Sequence, residues 1–239
     1  MSLRQYVKQL AERYGYRITR VNNLEEWLRR EPLEGLSPAE RDIQQIVNLL
    51  SITKLGPYAG AKYPAGYSSL RLHGKTVIGL RDPASRVDLI PVTLENKTIL
   101  DIGCNQGGIL MYSAKKGIKW GVGIDFHHRL INVANKAADC ERMDTVRYYT
   151  FNLEEDPLPL IEDLLPESHV DIVYLLAVCK WIKNWREVID YAASISDALL
   201  FETNGLNQDE QIEYACQHYS SCAELPFREE DRRLYWLEK

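Results

Sequence analysis

The sequence lacks the features that mark secreted, disulfide-rich or membrane-spanning proteins. Its 239 residues include only five cysteines, an odd number without a C-x-x-C pair: Cys104, Cys140, Cys179, Cys216 and Cys222. This usage indicates neither a zinc site nor a complete disulfide framework. The N-terminus has no apolar signal core, and no uninterrupted apolar run reaches membrane-spanning length. We therefore expect a soluble cytoplasmic protein with reduced thiols and no membrane partner.

An excess of basic residues is also missing, since the formal net charge is -5. This balance argues against nucleic acid as a partner, although a local basic patch stays open, and it favours small-molecule substrates. No D-x-D or His-rich cluster indicates a catalytic metal. The adjacent His127 and His128 would point in different directions on a helix, so they are not expected to chelate one ion.

Between residues 97 and 125 the sequence contains a strand, a glycine-rich turn, a helix and a second strand in succession. Thr98–Ile102 is a mostly apolar run of strand length, and residues 109–116 have helical spacing. A second apolar run, residues 120–124, ends on Asp125. This order predicts the front half of a nucleotide-binding α/β layer.

The glycine spacing of the turn separates two classes of cofactor. A dinucleotide fingerprint, G-x-G-x-x-G, needs a middle glycine that lets the backbone approach a pyrophosphate. Here Cys104 and Asn105 follow Gly103, so the turn reads D-x-G-x-x-x-G with Asp101, Gly103 and Gly107. This pattern resembles the first motif of class I S-adenosylmethionine (SAM) methyltransferases, in which the amino-acid end of the cofactor lies against the turn.

The resemblance covers residues 94–239 and implies both a fold and a cofactor. The expected fold is α/β, with a Rossmann-like, seven-stranded, mostly parallel sheet and an antiparallel C-terminal strand. The expected cofactor is SAM, whose ribose hydroxyls would be held by Asp125. Asn152 takes a position beside the adenine where the family often has aspartate. The predicted cofactor-binding residues are Asp101, Gly103, Cys104, Asn105, Gly107, Asp125, Phe126, Asn152 and Leu153.

The residues before 94 are predicted to form an N-terminal extension of helices and a β-hairpin. Apolar residues at helical spacing indicate helices near residues 3–11 and 24–28, and Ser37-Pro38-Ala39-Glu40 is typical of a helix start. Residues 69–80 are typical of a hairpin with His73-Gly74 as its turn. The predicted domains are thus 1–93, the extension, and 94–239, the methyltransferase domain. The extension is expected to pack against that domain or to form a homodimer.

Polar and aromatic residues follow two later predicted strands, at the edge of the sheet where parallel strands end. Ligands of open α/β sheets bind outside these carboxyl ends. We expect Glu202 or His73 to act as base and Lys180 or Arg81 to hold an anionic group of the acceptor. The predicted catalytic residues are therefore Glu202, His73 and Lys180, and the predicted substrate-binding residues are Arg81, Trp181 and Asn204.

These residues favour O-methylation of a small polar metabolite or saccharide, because a tryptophan face can stack on a sugar while carboxylates and amides bind its hydroxyls. An RNA or phosphate-end methyltransferase is the first alternative. It is favoured by the run Lys180-Trp181-Ile182, which is similar to a run in RNA 5′-phosphate methylating enzymes, and disfavoured by the acidic charge. A non-catalytic SAM-binding partner subunit is the second alternative.

Overall fold

A computed structural model of the chain describes residues 32–51, 62–227, 229 and 231–239. The two helices predicted before residue 29 lie outside the described residues. Among the described helices, none has the length and apolar character needed to span a bilayer.

The described chain alternates strands and helices from residue 98 to residue 216. The helices are α1 (Pro38–Ser51), α2 (Ala84–Val87), α3 (Gly108–Ala114), α4 (His128–Cys140), α5 (Trp185–Ile195) and α6 (Gln208–Cys216). The strands are β1 (Leu70–Leu72), β2 (Lys75–Val77), β3 (Thr98–Ile102), β4 (Trp120–Asp125), β5 (Val146–Thr150), β6 (Val170–Leu176), β7 (Ser196–Glu202), β8 (Ser221–Glu224) and β9 (Leu234–Glu238).

Seven of the strands form one sheet in the order β5-β4-β3-β6-β7-β9-β8. Strands β3 to β7 run parallel, whereas β9 pairs antiparallel with β7 on one side and with β8 on the other. All five residues of β3 are buried, as expected for a central parallel strand covered on both faces. The predicted fold class is confirmed. The carboxyl ends of five strands therefore lie along one edge, which we call the carboxyl edge.

Helix α1 begins at the predicted cap. The Ser37 and Glu40 side chains hydrogen-bond at 2.7 Å, and each accepts from the backbone N–H of the other residue. Ile46 and Leu50 are fully buried and belong to the same apolar cluster as residues of α3 and α4. The expected packing of this helix on the sheet domain is confirmed. The division of the chain at residue 94 stays a prediction.

A 3-10 helix, Leu158–Leu164, follows the loop after β5 and buries Ile161 against the sheet. One expectation about the cysteines needs correction. The expectation of reduced thiols is wrong for one pair, because Cys216 at the end of α6 is disulfide-bonded to Cys222 in β8. These two cysteines are six residues apart, so they do not form the C-x-x-C pattern that would have indicated a pair in the sequence. The other three cysteines are free thiols.

Candidate active site

Two positions of the turn after β3 have no room for a side chain. Gly103 has φ +77°, and a Cβ built there would lie 2.5 Å from Cγ2 of Val178. Gly107 has φ +78°, and its Cβ would lie 2.6 Å from the Tyr148 ring. Both positive φ values favour glycine. The Gly103 N–H donates to the Ile124 carbonyl at 2.8 Å, so the turn is held against the end of β4.

Two carboxyl groups flank this turn. Asp125, at the end of β4, accepts from the backbone N–H of Asn105 at 3.0 Å and from that of His127 at 2.8 Å. Asp101 is 2% exposed, and its buried Oδ2 has no hydrogen-bond partner among the described residues. Burial and the neighbouring Asp125 charge raise the pKa of Asp101 to about 8. Burial also raises the pKa of Asp125.

These features fit a ligand that carries a positively charged group at one end and hydroxyl groups further along. A cation beside Asp101 would satisfy its partnerless oxygen and stabilise the ionised carboxylate. Each Asp125 oxygen keeps one lone pair after accepting its backbone N–H, and so can still accept from a hydroxyl. The amino-acid end and the ribose of SAM have these groups. Asp101 would therefore hold the amino-acid end of that cofactor, and Asp125 its ribose.

The remaining predicted cofactor residues lie around the same turn. Cys104 is buried, and the backbone of Asn105 has φ +54° as it approaches Asp125. Phe126 is 61% exposed directly after Asp125 and offers an apolar ring at the carboxyl edge. The loop after β5 lies alongside, since the N–H of Phe151 donates to the Asp125 carbonyl at 3.0 Å.

Within the loop after β5, Asn152 forms hydrogen bonds to residues of the same loop. Its side-chain Oδ1 accepts from the N–H of Glu154 at 3.1 Å, and its own N–H donates to Asp156 at 2.7 Å. Leu153 is half-buried. Asn152 therefore stabilises the conformation of the loop. Its side-chain Nδ2 could still donate a hydrogen bond to a cofactor.

The exit of β6 is tied to the exit of β7 by one buried amide. Asn204 is 4% exposed; its Oδ1 accepts from the N–H of Lys180 at 3.0 Å, and its Nδ2 donates to the Ala177 carbonyl at 2.5 Å. Asn204 is thus a positioning residue rather than a surface for substrate. It places Lys180 and Trp181 at the carboxyl edge, where both are exposed and Trp181 is 71% exposed.

Glu202 is fully buried between two arginines. It accepts from Arg86 Nε at 2.5 Å and from Arg232 Nη1 at 2.6 Å. Burial alone would lower the pKa of Arg86, but the hydrogen bond and charge of Glu202 outweigh burial and raise it. The expected role of Glu202 as a base is not supported, because guanidinium groups occupy both of its oxygens.

A second glutamate extends this arrangement toward the surface. Glu229 accepts from Arg86 at 3.1 Å and pairs with Arg81, so Arg81 lies near the carboxyl edge. Its role in substrate binding stays a prediction. The Arg232 guanidinium also donates to the Tyr67 hydroxyl at 3.0 Å. We call Arg81, Arg86, Arg232, Glu202 and Glu229 the arginine cluster. Its three cationic and two anionic groups leave one net positive charge.

His73 does not reach this edge. Its N–H donates to Glu141 Oε1 at 2.5 Å, and its Nε2 lies 3.0 Å from Asp42 Oδ2. Helix α4 starts beside Asp125 and runs back along the sheet, so Glu141 at its end lies at the opposite edge. The expected convergence of His73 with Lys180 does not occur, because the hairpin covers the far end of α4.

Other residues of the site were not predicted from the sequence. Gln106 is 1% exposed, and its Nε2 donates to the carbonyls of Ala65 and Ser68 at 2.5 Å each. It thereby fastens the segment before β1 over the glycine turn. A buried glutamine in such a turn has no motif of its own. Arg232 was not predicted either, since its partner Glu202 is 30 residues away in sequence.

Comparison with known proteins adds independent findings. A sequence profile described as a methyltransferase domain matches residues 79–230, more than half of the chain. U6 snRNA methylphosphate capping enzyme Amus of Drosophila melanogaster is 32% identical over 124 residues, which cover 46% of this chain and 40% of that protein. The chain spans less than half the length of the curated relatives it matches.

Solved structures share the fold at low sequence identity. WbdD, a bifunctional kinase-methyltransferase, superposes with a TM-score of 0.51 at 19% identity and covers 66% of this chain and 40% of its own. SMU.776, crystallised with S-adenosylhomocysteine (SAH), superposes with a TM-score of 0.52 at 15% identity. That match covers 70% of this chain and 55% of the other.

Proposed function

The chain belongs to the SAM-dependent methyltransferase family, and we propose that it methylates a phosphate oxygen of a small phosphorylated polar molecule. Membership supports SAM as the cofactor and a catalytic role, so the alternative of a non-catalytic partner subunit is set aside. The homodimer stays a prediction. The choice of acceptor is our inference from the carboxyl edge.

The observation that carries the proposal is the net positive arginine cluster beside the exits of β6 and β7. Arginine presents a planar fork of donors that matches phosphate geometry. Arg81 and Arg232 are the partly exposed members, with side chains 25% and 16% exposed, and Arg86 is buried behind them. A phosphate group of the acceptor could replace Glu229 as the anionic partner of Arg81, so that the Arg81 guanidinium is paired both before and after the acceptor binds.

A phosphate acceptor also removes the need for a base. Two predicted bases are not available at this edge, because Glu202 is held by two arginines and His73 lies at the opposite edge. A phosphate oxygen is already anionic at neutral pH and has a lone pair for the methyl carbon. The bond from oxygen to carbon forms as the carbon–sulfur bond breaks, and the electron pair stays on sulfur. No proton has to move in this step.

The protein's task is then alignment and exclusion of water. When bound, SAM supplies a methyl group already activated on its sulfonium. Asp101 would hold the amino-acid end of the cofactor and Asp125 its ribose, and Val178 packs closely against the turn at Gly103. Asn204 fixes the loop that carries Lys180, whose ammonium group would help hold the acceptor. Such positioning alone can supply several kcal/mol of barrier reduction.

A second candidate acceptor is the phosphorylated 5′ end of RNA. The observation that favours it is the 32% identity to a protein named as a methylphosphate capping enzyme. The formal charge of -5 disfavours binding of a long polyanion. A neutral saccharide hydroxyl ranks third. The 71% exposed Trp181 could stack on a sugar ring, but such a hydroxyl needs a base.

Methyl transfer from labelled SAM to matched acceptors tests the proposal. Sugar phosphates, the same sugars after phosphatase treatment, and RNA with and without a 5′ phosphate are compared, with products identified by mass spectrometry. We expect a methyl phosphate ester on the sugar phosphates and no product from the dephosphorylated sugars. Methylation of dephosphorylated sugars at an equal rate would refute the phosphate assignment, and exclusive methylation of RNA ends would move the acceptor to the second candidate.

The variant Arg81→Gln should raise the KM for a phosphorylated acceptor by about tenfold or more, because it removes a charge-assisted hydrogen bond. Arg233→Gln is the matched control, since Arg233 pairs with Asp209 on the surface of the same region. The KM should stay unchanged in this control. An equal effect of both variants would show that the arginine cluster is structural only.

A further inference from the structure

We propose that Asp42, His73 and Cys140 bind a divalent transition-metal ion, with zinc as the ion that fits their donor atoms best. The three side chains lie at the edge of the sheet opposite the arginine cluster. They come from three separate elements: α1, the β1–β2 turn and the last residue of α4.

The three donor atoms lie close enough together to share one ion. One donor atom from each of these residues lies within 4.8 Å of the other two, and Asp42 Oδ2 is 3.0 Å from His73 Nε2. Donors that share a tetrahedral ion at bond lengths of about 2.0–2.3 Å are separated by roughly 3–4 Å, so small side-chain movements close the site. Carboxylate, imidazole and thiolate together select a borderline ion such as zinc. A water molecule would complete four-coordination.

The backbone of the turn supplies an independent observation. His73 has φ +49° and Gly74 has φ +75°, the pattern of a two-residue hairpin turn in which asparagine is usually preferred at the first position. A histidine held in the left-handed region costs energy, and such residues cluster at functional sites. The Glu141 carboxylate accepts the His73 N–H at 2.5 Å and fixes the turn, so the imidazole lies beside Asp42.

Binding of a divalent ion balances the charges at the site. Coordination replaces the proton of the Cys140 thiol, which leaves to solvent, and the ion offsets the Asp42 carboxylate and the new thiolate. The neighbouring acids Glu40 and Glu141 have lysine partners, Lys75 and Lys115, so they do not compete for the ion.

Bound metal would fasten the N-terminal helix and the hairpin to the end of α4. These elements already share an apolar cluster through Ile46, Leu72 and Ala137. A metal bond across their ends would add a cross-link far from the reacting atoms. The site is thus structural rather than catalytic, and it is independent of the proposed acceptor.

Cobalt(II) titration of the full chain, stripped of metal by a chelator, tests the site. We expect one cobalt per chain with a thiolate-to-cobalt charge-transfer band that equimolar zinc removes. His73→Asn keeps a residue that tolerates the left-handed backbone and removes the imidazole, so affinity should fall about tenfold or more. Cys140→Ser should abolish the charge-transfer band. His169→Asn is the matched control: His169 also pairs with an aspartate, Asp197 at 2.9 Å, but is not part of the cluster.

A second readout follows Cys140 directly. Zinc should slow alkylation of Cys140, mapped by peptide mass spectrometry, in the unmodified chain and not in His73→Asn. SAM binding should be unchanged in all variants, since it reports folding at the opposite edge. The proposal is overturned if stoichiometric cobalt gives no thiolate band, or if the band and alkylation protection persist unchanged in His73→Asn.

Discussion

Asp101 should make cofactor affinity depend on pH. Its carboxyl group is buried, Oδ2 has no partner among the described residues, and its pKa is raised to about 8 by burial and by Asp125. A cationic cofactor end needs the ionised form. With this pKa about 1% of the carboxyl is ionised at pH 6 and about 24% at pH 7.5, so affinity for SAM should rise roughly 20-fold over this range.

Isothermal calorimetry at several pH values below 7.5 measures this slope in a range where the cofactor's ammonium group stays largely protonated. Asp101→Asn has no carboxyl to titrate, so its weaker affinity should change little with pH. Asp163→Asn, at an exposed position, is the control and should keep the full slope. A pH-independent affinity in the unmodified chain, or an unchanged slope in Asp101→Asn, would refute the role of Asp101.

The same group has a consequence for stability in the absence of ligand. Its folded pKa lies above the unfolded value of about 3.9, so between these values the native state binds more protons than the unfolded state. The contribution of Asp101 to the free energy of unfolding is therefore greatest at low pH and is lost as pH rises toward 8. Urea unfolding of the unmodified chain and of Asp101→Asn measures this difference, which should grow with pH in favour of the variant.

Two further substitutions test the carboxyl edge. Gly103→Val should abolish SAM binding in calorimetry, because its Cβ would lie 2.5 Å from Val178 at a φ of +77°. Gly35→Val is the control: Gly35 has a similar φ but open space around it, so SAM binding should stay intact. Retained binding in Gly103→Val would contradict the site. Glu202→Gln should lower the free energy of unfolding by about 3–5 kcal/mol, because two arginines lose a buried counter-charge. A loss below about 1 kcal/mol in urea unfolding would show that the arginine cluster is not stabilised by this carboxylate.

The sequence predicted those parts of the fold that depend on local patterns. Asp101, Gly103 and Asp125 follow one another in a strand, a turn and a strand, so their spacing predicted the nucleotide-binding layer. The seven-stranded sheet was expected from the family resemblance of these residues. The helix cap at Ser37 was local in the same way. Predictions of side-chain roles at the site failed where the partners are far apart in sequence.

His73 is the clearest example of that failure. Its type and its place before the core suggested a base, but the direction of the hairpin is set by tertiary contacts with α1 and α4. The same contacts bring His73 near Asp42 and Cys140, which no spacing rule connects. Glu202 was placed at the correct edge and given the wrong role, because Arg86 approaches it from a helix 116 residues away.

The position of β9 between β7 and β8 has a consequence for synthesis of the chain. Strands β3 to β7 can pair as they are made, but β8 has no neighbour in the sheet until residues 234–238 exist. During that interval the edge of β7, with its apolar Leu199 and Phe201, is open to pairing with other chains. About 36 residues separate the ends of β7 and β9, which at usual rates of about 5–20 residues per second leaves this edge uncovered for a few seconds. Newly made chains should need protection from aggregation during this interval.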